Sequence, residues 1–213
     1  MLNNITVKNH SYFNNKFFGK WAWLYDCEKY FLFPIRRKAA KLLDLKFLQT
    51  VLDVATGTGA QAYEFAKLGY NVIGVDLSPE MLLQAKKKLR PSLNLKFVEA
   101  DGTNLPFKDN SFDASSISLG LHDMPFNIGT QVLKEMKRVT KGNGKILIVD
   151  YMEPKKNIIA RFTHPLINLY ETEHYNGFIQ KGLDSYLRHV GLSTITTDNF
   201  LGVLQTVIVK NIK

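Results

Sequence analysis

From residue 50 onward the chain alternates short apolar runs of strand length with segments whose apolar residues recur at helical spacing, which is the pattern of a parallel sheet covered on both faces. The runs are VLDV (51–54), NVIGVD (71–76), LKFVEA (95–100), FDASSIS (112–118) and KILIVD (145–150). Helical periodicity predicts helices over 60–68, 79–90 and 127–140. Ser78-Pro79-Glu80 opens the second of these with a capping hydroxyl and a proline at the first helical position, and Gly69 closes the first as a left-handed cap. Upstream, Pro34 is placed to open a helix whose Ile35, Ala39, Leu42 and Leu43 recur at i, i+4, i+7 and i+8. After Asp150 the alternation stops, and residues 153–180 read as an irregular, partly helical insertion. A helix over 181–190 ended by Gly191 follows, then strands over 193–200 and 203–212 joined at Leu201-Gly202 as an antiparallel hairpin. The predicted fold class is α/β: a doubly wound, mostly parallel sheet over residues 49–213 with an antiparallel C-terminal hairpin, preceded by an N-terminal helical cap over 1–48.

A chain of 213 residues, 45% hydrophobic, is long enough for one well-packed domain without staples. Its single cysteine, Cys27, excludes an internal disulfide and fits a reducing cytosolic setting. The polar start MLNNITVKNH is not a signal peptide, and no run reaches the roughly 18 apolar residues of a membrane span. The expectation is a cytoplasmic protein, soluble or peripheral on the inner membrane surface. Charge is unevenly spread: of a net +9, +6 falls in residues 1–50, and residues 12–33 hold ten of the chain's 25 aromatic side chains. Two readings stay open. Basic charge beside rings suits an anionic membrane surface or a nucleic-acid groove; alternatively, an aromatic helix packs over a substrate pocket with Arg36, Arg37, Lys38 and Lys41 as its solvated face.

The densest chemistry lies in Val51-Leu52-Asp53-Val54-Ala55-Thr56-Gly57-Thr58-Gly59, a strand running into a glycine turn that opens a helix. Glycine lets the backbone approach a ligand, and the helix start offers free N–H groups to a carboxylate or phosphate. Gly57-x-Gly59-x-x-Ala62 followed by Asp76 also fits a dinucleotide fingerprint. Asp53 weighs against that reading, because a carboxylate ahead of the turn repels a pyrophosphate but welcomes the ammonium of a zwitterionic amino acid.

Together with Gly74-Val75-Asp76-Leu77-Ser78-Pro79-Glu80-Met81-Leu82, Val98-Glu99-Ala100-Asp101-Gly102, Leu105-Pro106-Phe107 and Ser111-Phe112-Asp113, this run resembles the successive motifs of class I S-adenosylmethionine-dependent methyltransferases, in the ubiquinone/menaquinone C-methyltransferase-like branch. The resemblance covers roughly residues 45–150 and implies a seven-stranded, Rossmann-like sheet, S-adenosylmethionine as cofactor and S-adenosylhomocysteine as product. It implies that Ala55, Gly57 and Gly59 line the methionine end with Asp53 near the ammonium. Asp76 would take the ribose hydroxyls, Leu77 the adenine ring, and Asp101 the adenine amino group with Gly102 beside it. Read without the resemblance, Asp76 and Asp101 are strand-end carboxylates capping the turns that follow. Ala55 stands where many class I enzymes carry glycine, a substitution the quinone branch shares, and residues 138–144 lack the family's proline before strand five. The N-terminal part departs from the pattern of a quinone methyltransferase, so the cofactor transfers more safely than the substrate.

In such a fold the acceptor approaches over the carboxyl ends of strands four and five, which directs attention to Leu119-Gly120-Leu121-His122-Asp123-Met124-Pro125. His122 is the candidate general base, oriented by Asp123 or another carboxylate; the alternative is a packing role in the loop. Tyr25, Tyr151, His164, Tyr170 and His174 are candidate pocket residues, with the 153–180 insertion as a lid. Glu171 and His174 form half of a carboxylate-bridged metal site whose second half is missing, so no metal is expected. The expected partner is a small or lipid-like methyl acceptor, a quinone precursor or phospholipid amine; a small soluble acceptor and a dinucleotide oxidoreductase are the competing readings. Ser118-Leu119-Gly120-Leu121 stands where amino-directed base methyltransferases carry their Asn/Asp-Pro-Pro-aromatic signature, which argues against a nucleic-acid partner.

Overall fold

A computed structural model describes residues 29–154, 163–164, 167, 172–200 and 202–213, with side chains from Leu32 onward. The aromatic stretch before residue 29, Tyr25, Tyr170 and much of the expected lid lie outside the described residues. Seven strands form one sheet: β1 (Thr50–Val54), β2 (Asn71–Asp76), β3 (Leu95–Glu99), β4 (Phe112–Ser118), β5 (Thr140–Tyr151), β6 (Ser193–Phe200) and β7 (Leu204–Lys210), in the order β3-β2-β1-β4-β5-β7-β6. The first five are parallel, while β7 runs antiparallel to β5 with Ile148 opposite Val207, and β6 pairs antiparallel with β7. This is the doubly wound mixed sheet that the periodicity predicts, with chain order reversing direction between β1 and β4.

The helices are α1 (Lys29–Leu42), α2 (Ala60–Lys67), α3 (Pro79–Lys86), α4 (Phe126–Val139), α5 (Glu173–Lys181) and α6 (Leu183–His189). Central strands are apolar on both faces because helices cover both: Leu52, Ile117 and Ile146 are fully buried, each contributing about 1.5–3 kcal/mol relative to an exposed side chain. Local signals behave as read. Ser78 Oγ accepts from the Met81 amide at the start of α3, Gly69 has φ +85°, and Gly191 with φ +63° ends α6 while Leu192 N–H reaches back to Leu187 O.

Four boundaries differ from the sequence reading. Pro34 lies inside α1 rather than opening it, one turn after its start, where Ile35, Ala39 and Leu43 hold the helix on the core. α3 stops at Lys86, after which Lys87, Lys88 and Leu89 bond three residues back and tighten the chain ahead of Pro91. The 181–190 helix starts at Leu183, because Gly182 with φ +69° parts it from α5, which occupies the end of the expected insertion. β5 begins five residues early at Thr140, because the Asn211 side-chain amide donates to Lys137 O and Thr140 O and holds that segment in the sheet. Gly144 is required there, since a Cβ would stand 2.6 Å from Asp113 O.

Candidate functional site

The reversal between β1 and β4 opens a cleft at the carboxyl ends of the strands, where doubly wound folds take their ligands. Its floor is the loop after β1. Ala55, Gly57 and Gly59 all have left-handed backbones, at φ +51°, +53° and +74°. The Thr56 amide donates to Val75 O, tying the loop to β2; α2 starts without a side-chain cap from Gly59, and the Ala62 amide in its first turn bears on Asp53. The two glycines serve different ends. A Cβ on Gly57 would meet nothing within 4 Å and point into open space, whereas one on Gly59 would stand 2.5 Å from the Phe97 ring. Gly59 therefore lets α2 pack against β3, and it is not among the residues that line the cleft.

Asp53, Asp76 and Asp101 come together along one side of this cleft, with Leu77 and Gly102 between them. Asp53 is buried; it accepts from Thr56 Oγ1 at 2.6 Å and from Ser116 Oγ, and burial nevertheless pushes its pKa up to about 6. Asp76 accepts from the Gly57 amide at 2.7 Å and the Ser78 amide at 2.9 Å, and burial raises its pKa as well. The Leu77 amide bears on the same carboxylate. Asp101 closes a turn by accepting from Thr103 N and Oγ1 through Oδ1 alone. Arg36 of α1 is half-buried and lines the same cleft near Asp53, not a solvated face. Its position one turn before the buried Ala39 and Ala40 was the available signal.

Across the cleft, β4 ends at Ser118, and the chain turns at Leu119 with φ +54° into a single 3-10 turn, Leu121–Asp123. His122 is buried there with Nδ1 2.7 Å from Asp150 Oδ1, while its Nε2 is 3.5 Å from Asp123 Oδ2. The orienting carboxylate is thus Asp150 at the end of β5, which the sequence reading did not single out. Tyr151 also lines the cleft and sets its ring edge-on to His122 at 4.8 Å. Ser118 Oγ is buried beside it with no hydrogen-bond partner among the described residues. His164 sits behind this wall, bonded through Nδ1 to Tyr175 OH, and burial lowers its pKa. His174 lies partly exposed beside Glu173, away from the cleft. Among the described residues no three His, Cys, Asp or Glu side chains are placed to hold a metal ion, and no helix is long and apolar enough to cross a membrane.

Such a cleft, with three acids on one side and a histidine on the other, lies at the carboxyl ends of the strands of a Rossmann-like sheet. Residues 52–148 match the family described as a methyltransferase domain. A demethylmenaquinone methyltransferase from Paenarthrobacter aurescens is 38% identical over 148 residues, 70% of this chain and 52% of that protein. The ubiquinone/menaquinone biosynthesis C-methyltransferase UbiE of Bdellovibrio bacteriovorus is 42% identical over 121 residues, 54% of this chain and 50% of its own length. The chain thus spans about half the length of the curated relatives it matches. Among solved structures, an S-adenosylmethionine-dependent methyltransferase from Aquifex aeolicus superposes with a TM-score of 0.62 at 21% identity, covering 83% of this chain and 89% of that one. The cyclase SpnF superposes with a TM-score of 0.66 at 16% identity, covering 83% and 80%. At these identities the structures establish the fold alone, and a cyclase among them shows that the fold does not dictate the reaction.

Proposed function

We propose that this protein transfers a methyl group from S-adenosylmethionine to an apolar, lipid-associated acceptor, a reduced quinone precursor first among them and a phospholipid amine second. The observation that carries the reading is the division of one cleft into an acid-lined half and a histidine-bearing half. The residues present fit the cofactor: the space beyond Gly57 is open to a ligand backbone, and Asp53 is a buried carboxylate whose burial an ammonium would offset. On this reading Asp53 and Arg36 hold the amino-acid end, Asp76 the ribose diol, and Leu77 and Asp101 the adenine. Bound there, S-adenosylmethionine supplies an electrophilic methyl on a sulfonium.

The rest falls to the chain's own groups. Ser118, Met124 and Tyr151 line the wall beside His122 and exclude water from the acceptor. His122 accepts at Nε2 the proton that a hydroxyl, amine or enolic carbon gives up as it becomes a nucleophile. The names of the relatives support a quinone-type acceptor, and the buried, ring-lined surroundings of His122 suit an apolar ring. A membrane station belongs to the same proposal. Arg37, Lys38 and Lys41 are exposed on α1 beside Phe33, although Lys38 already pairs with Asp198.

The deciding experiment has two arms. Calorimetry should show binding of S-adenosylhomocysteine and not of NAD; the reverse would restore the dinucleotide reading. Release of S-adenosylhomocysteine should then be stimulated by a reduced, demethylated naphthoquinone. Stimulation by small polar acceptors alone would favour a soluble substrate, and failure of the protein to sediment with anionic liposomes at low salt would remove the membrane station.

A further inference from the structure

We propose that the end of α3 and the turn after it, residues 83–90, form an anionic-lipid contact, so that the helical layer α1–α3 faces the membrane and the layer α4–α6 faces water. The inference rests on the membrane station placed above on α1 and extends it to a second surface that can be tested separately.

Topology sets the two layers. Strands β1, β2 and β3 follow one another across the sheet, and right-handed crossovers put α2 and α3 on one face of it. From β4 to β5 the strand order runs the other way, and the same handedness puts α4 on the opposite face. α1 adjoins α2, with Lys67 Nζ 5.5 Å from the centre of the Phe33 ring. Ala85 of α3 adjoins the start of α2, its Cβ 3.0 Å from where a Cβ on Gly59 would stand. In the other layer Tyr186 of α6 packs edge-on against Phe126 of α4 and tilted against Phe178 of α5.

The layers differ in what they show to solvent. Phe33, Leu68, Leu83 and Leu89 are exposed on the helices of the first layer or directly after them, whereas α4, α5 and α6 leave no large apolar side chain exposed among the described residues. Charge divides the same way. Around α3 the exposed cations Lys86, Lys87 and Arg90 stand against one exposed acid, Glu80, which lies at the other end of the helix and accepts from Ser78 Oγ. The second layer mixes Lys134, Lys181 and Arg188 with Glu173 and Asp184.

Within α3, Met81, Leu82 and Ala85 are buried, while Leu83 is 62% exposed with Lys86 and Lys87 one turn further on. Lys88 reaches back to donate to Thr58 O, which ties this turn to the glycine loop on the floor of the cleft. Lys87 Nζ bonds Gln84 Oε1, and Arg90 bonds the Lys87 and Leu89 carbonyls. Among the described residues no carboxylate pairs with the three outward cations. Apolar side chains flanked by cations suit the boundary of an anionic bilayer, where aliphatic carbons enter the acyl edge and charged heads stay at the phosphates. Leu83 and Leu89 offer a nucleic-acid base no ring to stack on, which favours lipid over a single strand.

The test is co-sedimentation of the full chain with vesicles of phosphatidylglycerol and phosphatidylcholine at low ionic strength. Wild type should bind these vesicles, ignore pure phosphatidylcholine and lose affinity as salt is raised. The triple variant K86Q/K87Q/R90Q should bind roughly 10- to 100-fold more weakly, at up to about fivefold per charge. Leu83→Gln, which keeps every charge, should bind roughly threefold more weakly. K134Q/K181Q/R188Q removes the same charge from the other layer and should bind as wild type does. All of them should keep their affinity for S-adenosylhomocysteine by calorimetry. If wild type ignores anionic vesicles, both membrane readings fall while methyl transfer, judged by S-adenosylhomocysteine binding and release, is untouched. If K86Q/K87Q/R90Q binds like wild type, this contact is overturned and the station on α1 stands. Equal weakening by the two triple variants overturns it too, because net charge and not a surface would then be at work. Unchanged binding of Leu83→Gln overturns it even if the triple variant fails to fold, and tighter binding of a single-stranded oligonucleotide than of vesicles overturns it in favour of nucleic acid.

Discussion

The two halves of the cleft are built in opposite ways. On the β1–β3 side each acid has a partner close by in the chain: Asp76 and Asp101 accept from the amide two residues on, and Asp53 from Thr56 three residues on, while Gly57 N–H and Ser116 Oγ reach Asp76 and Asp53 from farther away. On the β4–β5 side the decisive bond joins His122 to Asp150, 28 residues away with the whole of α4 between them. A half with such local turns announces itself in the sequence as a compact motif. A half made from long-range pairs depends on how each chain packs, and that is where acceptor chemistry becomes particular to one protein.

If the halves are functionally separate, mutations should sort cleanly between binding and turnover. The largest expected effect is on the acceptor side: His122→Ala should lower turnover by roughly 10²- to 10⁴-fold while S-adenosylhomocysteine binds as before. Turnover of the wild type should rise with pH through the imidazole titration, and that limb should vanish in the variant. Loss of cofactor affinity in His122→Ala would show that the two sides are not separable.

On the other side, Asp76→Ala should weaken S-adenosylhomocysteine binding by about 1.5–3 kcal/mol, the range for hydrogen bonds to a charged group, in a protein that still folds. The glycines divide the half further. Gly57→Val should abolish measurable binding while leaving the core packing intact, because its side chain points into the open cleft and carries only the strain of a branched residue at φ +53°. Gly59→Val should instead lower the melting temperature, since the new side chain must displace Phe97. Equal behaviour of the two variants, by calorimetry and thermal scan, would contradict the division.

Asp53 offers a pH test with a defined sign. Burial raises its folded pKa to about 6, so its contribution to stability is fully present below the ordinary carboxylate range and is lost as pH rises through about 6. Ligand binding runs the other way, because the ammonium needs the carboxylate. Affinity for S-adenosylhomocysteine should therefore rise by up to about tenfold per pH unit on approaching 6 from below, then level off. Asp53→Asn should bind more weakly and lose that slope; a slope that survives would assign the titration to another group.

The same contrast explains what could be read from the chain beforehand. Ser78-Pro79, Gly69 and Gly191 announce their turns through chemistry confined to a few residues, and the structure agrees with them. The early start of β5 was hidden because Thr140 is held by Asn211, 71 residues on. Arg36 sits in a run of cations whose periodicity marks a polar face, and only the approach of α1 to α2, with Gln61 Nε2 donating to Arg36 O, turns it toward the cleft. Asp150 ends an apolar strand and looks like a residue opening a loop until His122 is brought to it.

The smallest expected effect lies on the seam between the halves, at Ala55. Its backbone is left-handed at φ +51°, a conformation that costs an L-residue with a Cβ roughly 1–2 kcal/mol and glycine nothing comparable. Its methyl also stands beside Gly120, where an added Cβ would be only 3.3 Å away, so the alanine fills the gap between the β1 and β4 loops. Ala55→Gly relieves the strain but gives the unfolded chain more freedom, which offsets about 0.5–1 kcal/mol. The net should be a gain of about 0.5–1 kcal/mol, seen as a rise of roughly 1–4 °C in melting temperature, with S-adenosylhomocysteine affinity nearly unchanged. If the variant melts lower, the methyl group's packing across the seam outweighs the backbone strain. If it melts higher but turns over more slowly, the alanine is retained to keep the two loops in register, and the halves are coupled through that one residue.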